Sequence, residues 1–482
     1  MTSIITLGRD VIRYLSDFLS LRNKIEFKKT CKTINSLVKI TDLCHIPDCY
    51  IEKMRLEHLM NNPNIKYLKA GPNLARLTGF PNLNVIYNKN AELTETETEK
   101  LYLEELWLPY ESKKKYTNYF PNLKVLYANS ELIDEDIKEL DLEELYLPYN
   151  TRITDISHLT KLKHLTCLCR TASYFDQLMK LNLKSLHVRI NTYNLWHINH
   201  MSNLRVLDCS KTNLPCQQLQ GLNLRKLKCL LSTGIFKIPY MSNLKVLHCD
   251  ARVEIHPDNL PNLKSLNILV DRSLKFEALQ YCINLTKLEY TSFERTNDVH
   301  LFKNLNLHTL ILRFQKDHLE LGHMTNLRRL ILYDCNELDN KLVENLNLEY
   351  LRIGVTNISQ LGHMTRLRYL DCSTPCNNFR NRNRIDFENL NLEALVAAGN
   401  MSIDKISHMT NLRFLDCSKG CSITENDLEG LNLRFIKSKG NKNVKLRDIS
   451  KEDEYEWQNI LDIKLKYSYL SDFDLLLHEN YF

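Results

Sequence analysis

The sequence predicts an α/β solenoid, a curved stack of short units with a parallel sheet on its concave side, headed by a small helical domain. Three observations predict it. A leucine-centred string, L-x-x-L-x-[LICV], recurs at a nearly constant interval along most of the chain. Longer copies return almost letter for letter, as HMSNLRVLDCS at 200–210, HMTRLRYLDCS at 363–373 and HMTNLRFLDCS at 408–418. The first forty residues carry a different, helical spacing of apolar residues.

A fixed period overrides the domain number that 482 residues would suggest. The first leucines are Leu83, Leu103, Leu123, Leu142, Leu162, Leu183, Leu204, Leu224, Leu244, Leu263, Leu285, Leu307, Leu327, Leu348, Leu367, Leu392, Leu412 and Leu433. These 18 units are separated by 19 to 25 residues, about 20.6 on average. The spacing resembles the leucine-rich repeat, whose pattern is L-x-x-L-x-L-x-x-N/C-x-L. Leu348, Leu351, Ile353, Thr356 and Ile358 fit it, with Thr where Asn is common. Alternation over a few residues makes a short strand with two side chains pointing inward. About a dozen residues then return the chain. One unit cannot bury its own leucines, but stacked units bury them against each other.

A longer step overlies the first. Units ending in a His-Met or Tyr-Met turn (Met201, Met241, Met324, Met364, Met409) mostly alternate with units reading L-N-L (Leu181, Leu222, Leu305, Leu346, Leu390, Leu431). The step is roughly 41 residues, as duplication of a two-unit block would leave. The expected organisation is a helical domain over 1–45, an irregular ramp over 46–82 with the shortened units NIKYL and NLARL, the solenoid over 83–440, and a cap or tail over 441–482.

Composition bounds the function. Apolar residues make up 43% and charged residues 25%, ordinary for a globular chain. With 12 Gly and 12 Pro, long flexible linkers are not expected. No run approaches 18 apolar residues, so no membrane span is expected. The start, MTSIITLGRD, lacks a basic-then-apolar signal organisation, so the fifteen cysteines are expected as reduced thiols in the cytoplasm or nucleus. Net charge is +6. Residues 1–40 hold eight basic and three acidic side chains, a net +5, which leaves +1 for the other 442 residues. Such a balance gives the bulk of the chain no general attraction for nucleic acid.

Cys167, Cys209, Cys229, Cys249, Cys372 and Cys417 share the inward position at the end of the repeat string, where other units place Leu, Ile, Val or Ala. A small buried hydrophobe accounts for them. His158, His200, His323, His363 and His408 lie a few residues before a unit's start, in alternate units. Two strand spacings are about 9.6 Å, too far for one zinc ion, so turn packing is expected. Cys44, His45, Cys49 and His58 match no standard zinc spacing. Phosphate-loop, dinucleotide, nucleophile-elbow and zincin motifs are absent from the sequence, and no cofactor, metal or catalysis is expected.

The concave face carries the binding candidates. Positions +2, +4 and +6 from the first leucine face the hollow. The +4 column opens with Tyr87, Trp107, Tyr127 and Tyr146, four rings on adjacent strands about 4.8 Å apart. The +2 column near the other end gives Tyr350, Tyr369, Phe414 and Phe435, interrupted by Ala394. Such rows serve as partner-binding hot spots or stiffen the sheet by stacking.

Ahead of the repeats, Leu7, Val11, Ile12, Leu15, Phe18 and Leu19 fall at helical spacing. The segment LGRDVIRYLSDFLSLRNKIEFKKTCKTINSLV resembles the F-box through Leu7, Asp10, Val11, Ile12, Leu15, Leu19, Cys31 and Lys32. It departs from the pattern at Gly8, Thr30 and Ile34. In this order the chain looks like an F-box/LRR protein, and its Asn-, Lys- and Ile-rich, blocky repeats are similar to members encoded by giant DNA viruses. The resemblance implies that the F-box docks on a Skp-type adaptor of a cullin–RING ubiquitin ligase while the repeats hold a protein substrate. Leu7, Asp10, Val11, Ile12, Leu15, Leu19, Cys31 and Lys32 would then form the F-box surface.

Overall fold

The computed structural model describes residues 42–43, 65–70 and 83–88 and most of the chain from 102 to 444. The helical domain expected over 1–45 lies outside the described residues apart from Asp42–Leu43, as do most of the ramp and everything after Val444. The chain divides into two compact units, with the division between Leu222 and Asn223.

In the first unit the strands are β1 (Asp42–Leu43), β2 (Tyr67–Ala70), β3 (Val85–Asn88), β4 (Glu105–Trp107), β5 (Val125–Tyr127), β6 (Glu144–Tyr146), β7 (His164–Cys167), β8 (Ser185–Val188) and β9 (Val206–Asp208). Each pairs in parallel with the next, and the +3 residues stay in step through Ile86, Leu106, Leu126, Leu145, Leu165, Leu186 and Leu207. One short helix, α1 (Asp134–Ile137), precedes β6 and opens on three acidic residues, which suits the positive end of its dipole.

The second unit holds β10 (Lys226–Lys228), β11 (Val246–Asp250), β12 (Ser265–Val270), β13 (Lys287–Ser292), β14 (Thr309–Arg313), β15 (Arg329–Tyr333), β16 (Tyr350–Ile353), β17 (Tyr369–Asp371), β18 (Ala394–Val396), β19 (Phe414–Asp416) and β20 (Phe435–Lys437). These also pair in parallel, each with its successor. Strands β11 to β15 run five or six residues, where most others stop at three or four.

Each unit is therefore a parallel-strand solenoid, and the burial pattern explains why. In β12 exposure alternates strictly along Ser265–Val270, with Leu266, Ile268 and Val270 buried. The first leucines from Leu83 to Leu412, and the +3 partners from Leu106 to Leu415, are almost wholly removed from water. Each such side chain contributes about 1.5–3 kcal/mol of transfer free energy. Leu433 and Ile436 of the last described repeat are only half-buried.

What the repeated turn does is visible in the hydrogen bonds. The Met of each turn is buried: Met201, Met241, Met324, Met364 and Met409. Four histidines of this register, one of them in the His158–Leu159 turn, point to a main-chain carbonyl of the unit before. Nε2 lies 2.9 Å from Ile137 O for His158, 2.9 Å from Phe302 O for His323 and 3.0 Å from Val343 O for His363. His408 shares its Nε2 between Phe387 O at 3.0 Å and Leu390 O at 3.1 Å. A carbonyl only accepts, so Nε2 carries the proton in each. The Asn of L-N-L binds forward: Asn182 and Asn223 each accept from the next unit's Asn side chain at 2.6 Å, and Asn306, Asn347 and Asn391 accept backbone N–H groups. The two alternating blocks are thus two halves of one stacking device.

Several strands are followed by a left-handed residue at position +7. In the second unit this is Leu231, Phe314, Asp334, Gly399, Lys419 or Gly440, and in the first it is Lys211. The next position, +8, closes the turn from its side chain. Asn150, Asn400 and Asn441 are buried and bond main-chain carbonyls of other turns at 2.9–3.0 Å.

Candidate binding surfaces on the sheet face

In the first unit the +4 register runs Tyr87, Trp107, Tyr127, Tyr146, Thr166, His187 and Asp208 across β3 to β9. For Tyr87 the backbone pairing alone is described. The rings of Trp107 and Tyr127 stack at 4.9 Å between centroids, 11° from parallel. Tyr146 lies 6.0 Å from Tyr127 and 6.3 Å from Trp107. The three centroids therefore form a triangle and not a straight file. Trp107 and Tyr127 are half-buried, while Tyr146 is 2% exposed. Its hydroxyl donates to Glu144 Oε2 at 2.7 Å, and the Trp107 indole N–H donates to Glu105 Oε1. Burial, then the hydrogen bond to Glu144, pushes the Tyr146 hydroxyl well above the usual phenol range.

The sheet face is less open further along than the column pattern implies. Thr166, His187 and Asp208 are buried. His187 Nε2 lies 3.2 Å from Asp208 Oδ2. Burial, opposed by the charge of Glu144, holds the His164 imidazole below its ordinary value.

In the second unit the +2 register runs Tyr350, Tyr369, Ala394, Phe414 and Phe435. Tyr350 and Tyr369 stack at 6.3 Å, and Phe414 and Phe435 at 5.1 Å, with Ala394 separating the pairs. Tyr350 and Phe435 are buried, and Tyr369 and Phe414 are half-buried. Burial pushes the Tyr350 hydroxyl up to about 12. The Tyr369 hydroxyl donates to Glu393 at 2.8 Å.

Reading the +2 and +4 columns missed a denser cluster. Tyr333, at +6, carries the Arg313 guanidinium 4.1 Å from its ring centroid and that of Arg352 at 4.5 Å. Arg313 binds Glu289 at 2.8 Å, Arg352 binds Asp371 at 3.2 Å and donates to the Tyr333 hydroxyl at 3.1 Å. Arg329 lies over Tyr350 at 5.1 Å. Position +6 joins the face because β14 and β15 run that far. A strand signal long enough to reach +6, as in TLILR and RLILY, was the clue available in the sequence.

The six column cysteines are buried free thiols. Burial pushes the Cys249 and Cys372 thiols well up and Cys417 to about 12, so they remain protonated. Among the described residues no group of His, Cys, Asp and Glu could hold a metal ion, and no helix is long and apolar enough to cross a membrane. Cys44, His45, Cys49 and His58 lie outside the described residues, as do Leu7, Asp10, Val11, Ile12, Leu15, Leu19, Cys31 and Lys32.

The class these features define is a leucine-rich-repeat solenoid. No family model matches the sequence, and no curated protein matches it. Among solved structures the chain is similar to an internalin of Listeria monocytogenes, at 18% identity over 74% of this chain and 92% of that one, with a TM-score of 0.36. It is similar also to a leucine-rich-repeat protein of Leptospira interrogans, at 18% identity over 79% and 98%, with a TM-score of 0.39. A third is the Toll–Spätzle complex of Drosophila, at 14% identity over 73% of this chain and 60% of that one, with a TM-score of 0.42. At these values the fold rests on the strand register and burial described above.

Proposed function

We propose that this chain is an intracellular substrate-recognition subunit of a cullin–RING ubiquitin ligase. In this reading the F-box-like segment 1–45 docks on a Skp-type adaptor and the outer face of the sheet grips a protein substrate. The observation that carries the recognition half is the grouping of large rings and guanidinium groups, Trp107 with Tyr127 and Arg313 with Tyr333 and Arg352, on rigid parallel strands turned away from the core. Aromatic and Arg side chains held on a stiff support lose little freedom on contact, which is what protein recognition rewards. The docking half is supported by the F-box-like pattern of Leu7, Val11, Ile12, Leu15 and Leu19 in the sequence. The chain itself would do no chemistry. It would raise the effective concentration of substrate lysines near a charged ubiquitin-conjugating enzyme.

Co-purification with a Skp-type adaptor tests the proposal. The full chain is expected to retain the adaptor and the Leu15→Asp chain to lose it. A full chain that captures no adaptor leaves the second reading, a protein-binding scaffold or inhibitor outside the ubiquitin system, which the same ring and guanidinium groups support equally.

A further inference from the structure

Position +1, the residue between the first leucine and the strand, carries a row of charges in each unit. In the first unit the row runs Glu104, Lys124, Glu143 and Lys163, then Lys184 and Arg205. Opposite signs pair across adjacent repeats, Lys124 with Glu104 at 2.8 Å and Lys163 with Glu143. Arg205 donates to the Ser202 and Leu204 carbonyls of its own turn. The later half of the second unit follows the same rule. Arg328 lies 3.7 Å from Glu349, and Arg368 binds Glu393 at 3.0 Å. The start of the second unit breaks it. Arg225, Lys245 and Lys264 follow one another with no acid between them, and Thr286 and His308 come next. Main-chain bonds hold the three in step: the Lys245 N–H donates to the Arg225 carbonyl and the Lys264 N–H to the Lys245 carbonyl, each at 2.9 Å. All three side chains are exposed, and none makes an ion pair among the described residues. The described carboxylates of 223–292 lie elsewhere. Asp250 is 3.4 Å from Arg252, Asp258 is 3.5 Å from His256, Glu289 is 2.8 Å from Arg313, and Glu254 stands opposite Lys237 in a bridge of the return segment. The +2 neighbours, Lys226, Val246, Ser265 and Lys287, add no acid.

Like charges on neighbouring strands repel, and alternation relieves that repulsion elsewhere in the row. An acidic occupant would relieve it here. Three cations on successive strands span about 9.6 Å, which an extended peptide covers in about three residues. A single phosphate favours convergent Arg forks, whereas one guanidinium and two ammonium groups spread in file match a run of carboxylates. Single-stranded nucleic acid needs rings to stack on, and no ring stands at −1, +1 or +2 of these three repeats. We propose that Arg225, Lys245 and Lys264 form a docking row for a carboxylate-rich segment of the partner protein. This deepens the reading of the chain as a protein-binding solenoid, on which it rests, and is independent of adaptor docking.

The test titrates the full chain into fluorescein-labelled octa-glutamate and follows anisotropy, with octa-lysine and an oligothymidylate as comparisons. Octa-glutamate is expected to bind saturably and to weaken as salt rises, oligothymidylate to bind less tightly and octa-lysine not at all. Lys245→Glu restores the alternation seen in the rest of the row. It should weaken octa-glutamate at least about tenfold and raise the melting temperature at low salt. Lys264→Glu should do the same, and it carries the test should the first variant fail to fold. Arg368→Gln, in the same row but already bound to Glu393, should leave octa-glutamate binding unchanged. Binding that survives both lysine swaps overturns the docking row, as does an equal loss in Arg368→Gln. Oligothymidylate binding as tight as that of octa-glutamate overturns the acidic-peptide occupant, and a melting temperature lowered by both swaps overturns the repulsion behind it. Adaptor capture is scored on the same chains. Capture without octa-glutamate binding sinks the docking row alone, and octa-glutamate binding that the swaps abolish, without capture, sinks the ligase reading alone.

Discussion

Replacing His363 by leucine isolates the device that joins one turn to the next. The ring sits in the H-M-T turn and its Nε2–H donates to the Val343 carbonyl at 3.0 Å. Val343 is fully buried, so water cannot take over the bond. Leucine fills a similar volume, and the loss therefore reduces to one unsatisfied buried carbonyl, worth about 1–3 kcal/mol. His408 provides the internal control. Its Nε2 faces two carbonyls, at 3.0 and 3.1 Å, but the nitrogen carries a single hydrogen. His408→Leu should therefore cost about as much as His363→Leu and not twice as much. The double variant His323→Leu with His363→Leu should be additive to within about 0.5 kcal/mol, because the two turns are two repeats apart and share no partner. Urea titrations followed by circular dichroism give each loss from the midpoint at constant slope. Losses below about 0.5 kcal/mol for both single variants, under the ordinary range for a hydrogen bond, would show that the rings are solvated surface groups. A doubled loss at His408 would refute the one-proton reasoning.

Asn400→Ala should cost about 2–4 kcal/mol in the same titration, since the buried side chain donates to Cys372 O at 3.0 Å and accepts from Ser402 N at 2.9 Å, and both main-chain groups lose their partner. Leu231→Asn should stabilise by about 0.5–1 kcal/mol, because Leu231 sits at φ 57° with much of its side chain exposed and asparagine tolerates that conformation; an unchanged or lowered melting temperature would count against it. The buried thiols predict alkaline weakening: Cys417 is held near 12 against an ordinary 9.0, so its contribution is complete below 9.0 and is lost as pH rises through about 12. At pH 8 iodoacetamide should leave Cys167, Cys209, Cys229, Cys249, Cys372 and Cys417 unmodified in the folded chain and label them in urea, as peptide mass spectrometry would show; labelling without urea would mean the column is open.

The amino-acid sequence alone determined the repeat, its parallel strands and the inward or outward sense of most strand positions. It did so because a solenoid repeats one local problem: each unit buries its leucines against neighbours built from the same letters. The roles expected for the column cysteines and the turn histidines followed from position alone, since a register that every unit shares leaves each residue type one environment. The tertiary structure alone decided what the outward residues do. Tyr146, His187 and Asp208 occupy outward positions yet are buried, and the rings of Trp107, Tyr127 and Tyr146 close into a triangle. Arg313, Tyr333 and Arg352 meet because β14 and β15 run longer than most of their neighbours. Outward side chains answer to partners one and two units away, some 20 to 40 letters distant, and the torsions that bring them together are set by the assembled sheet rather than by any single repeat.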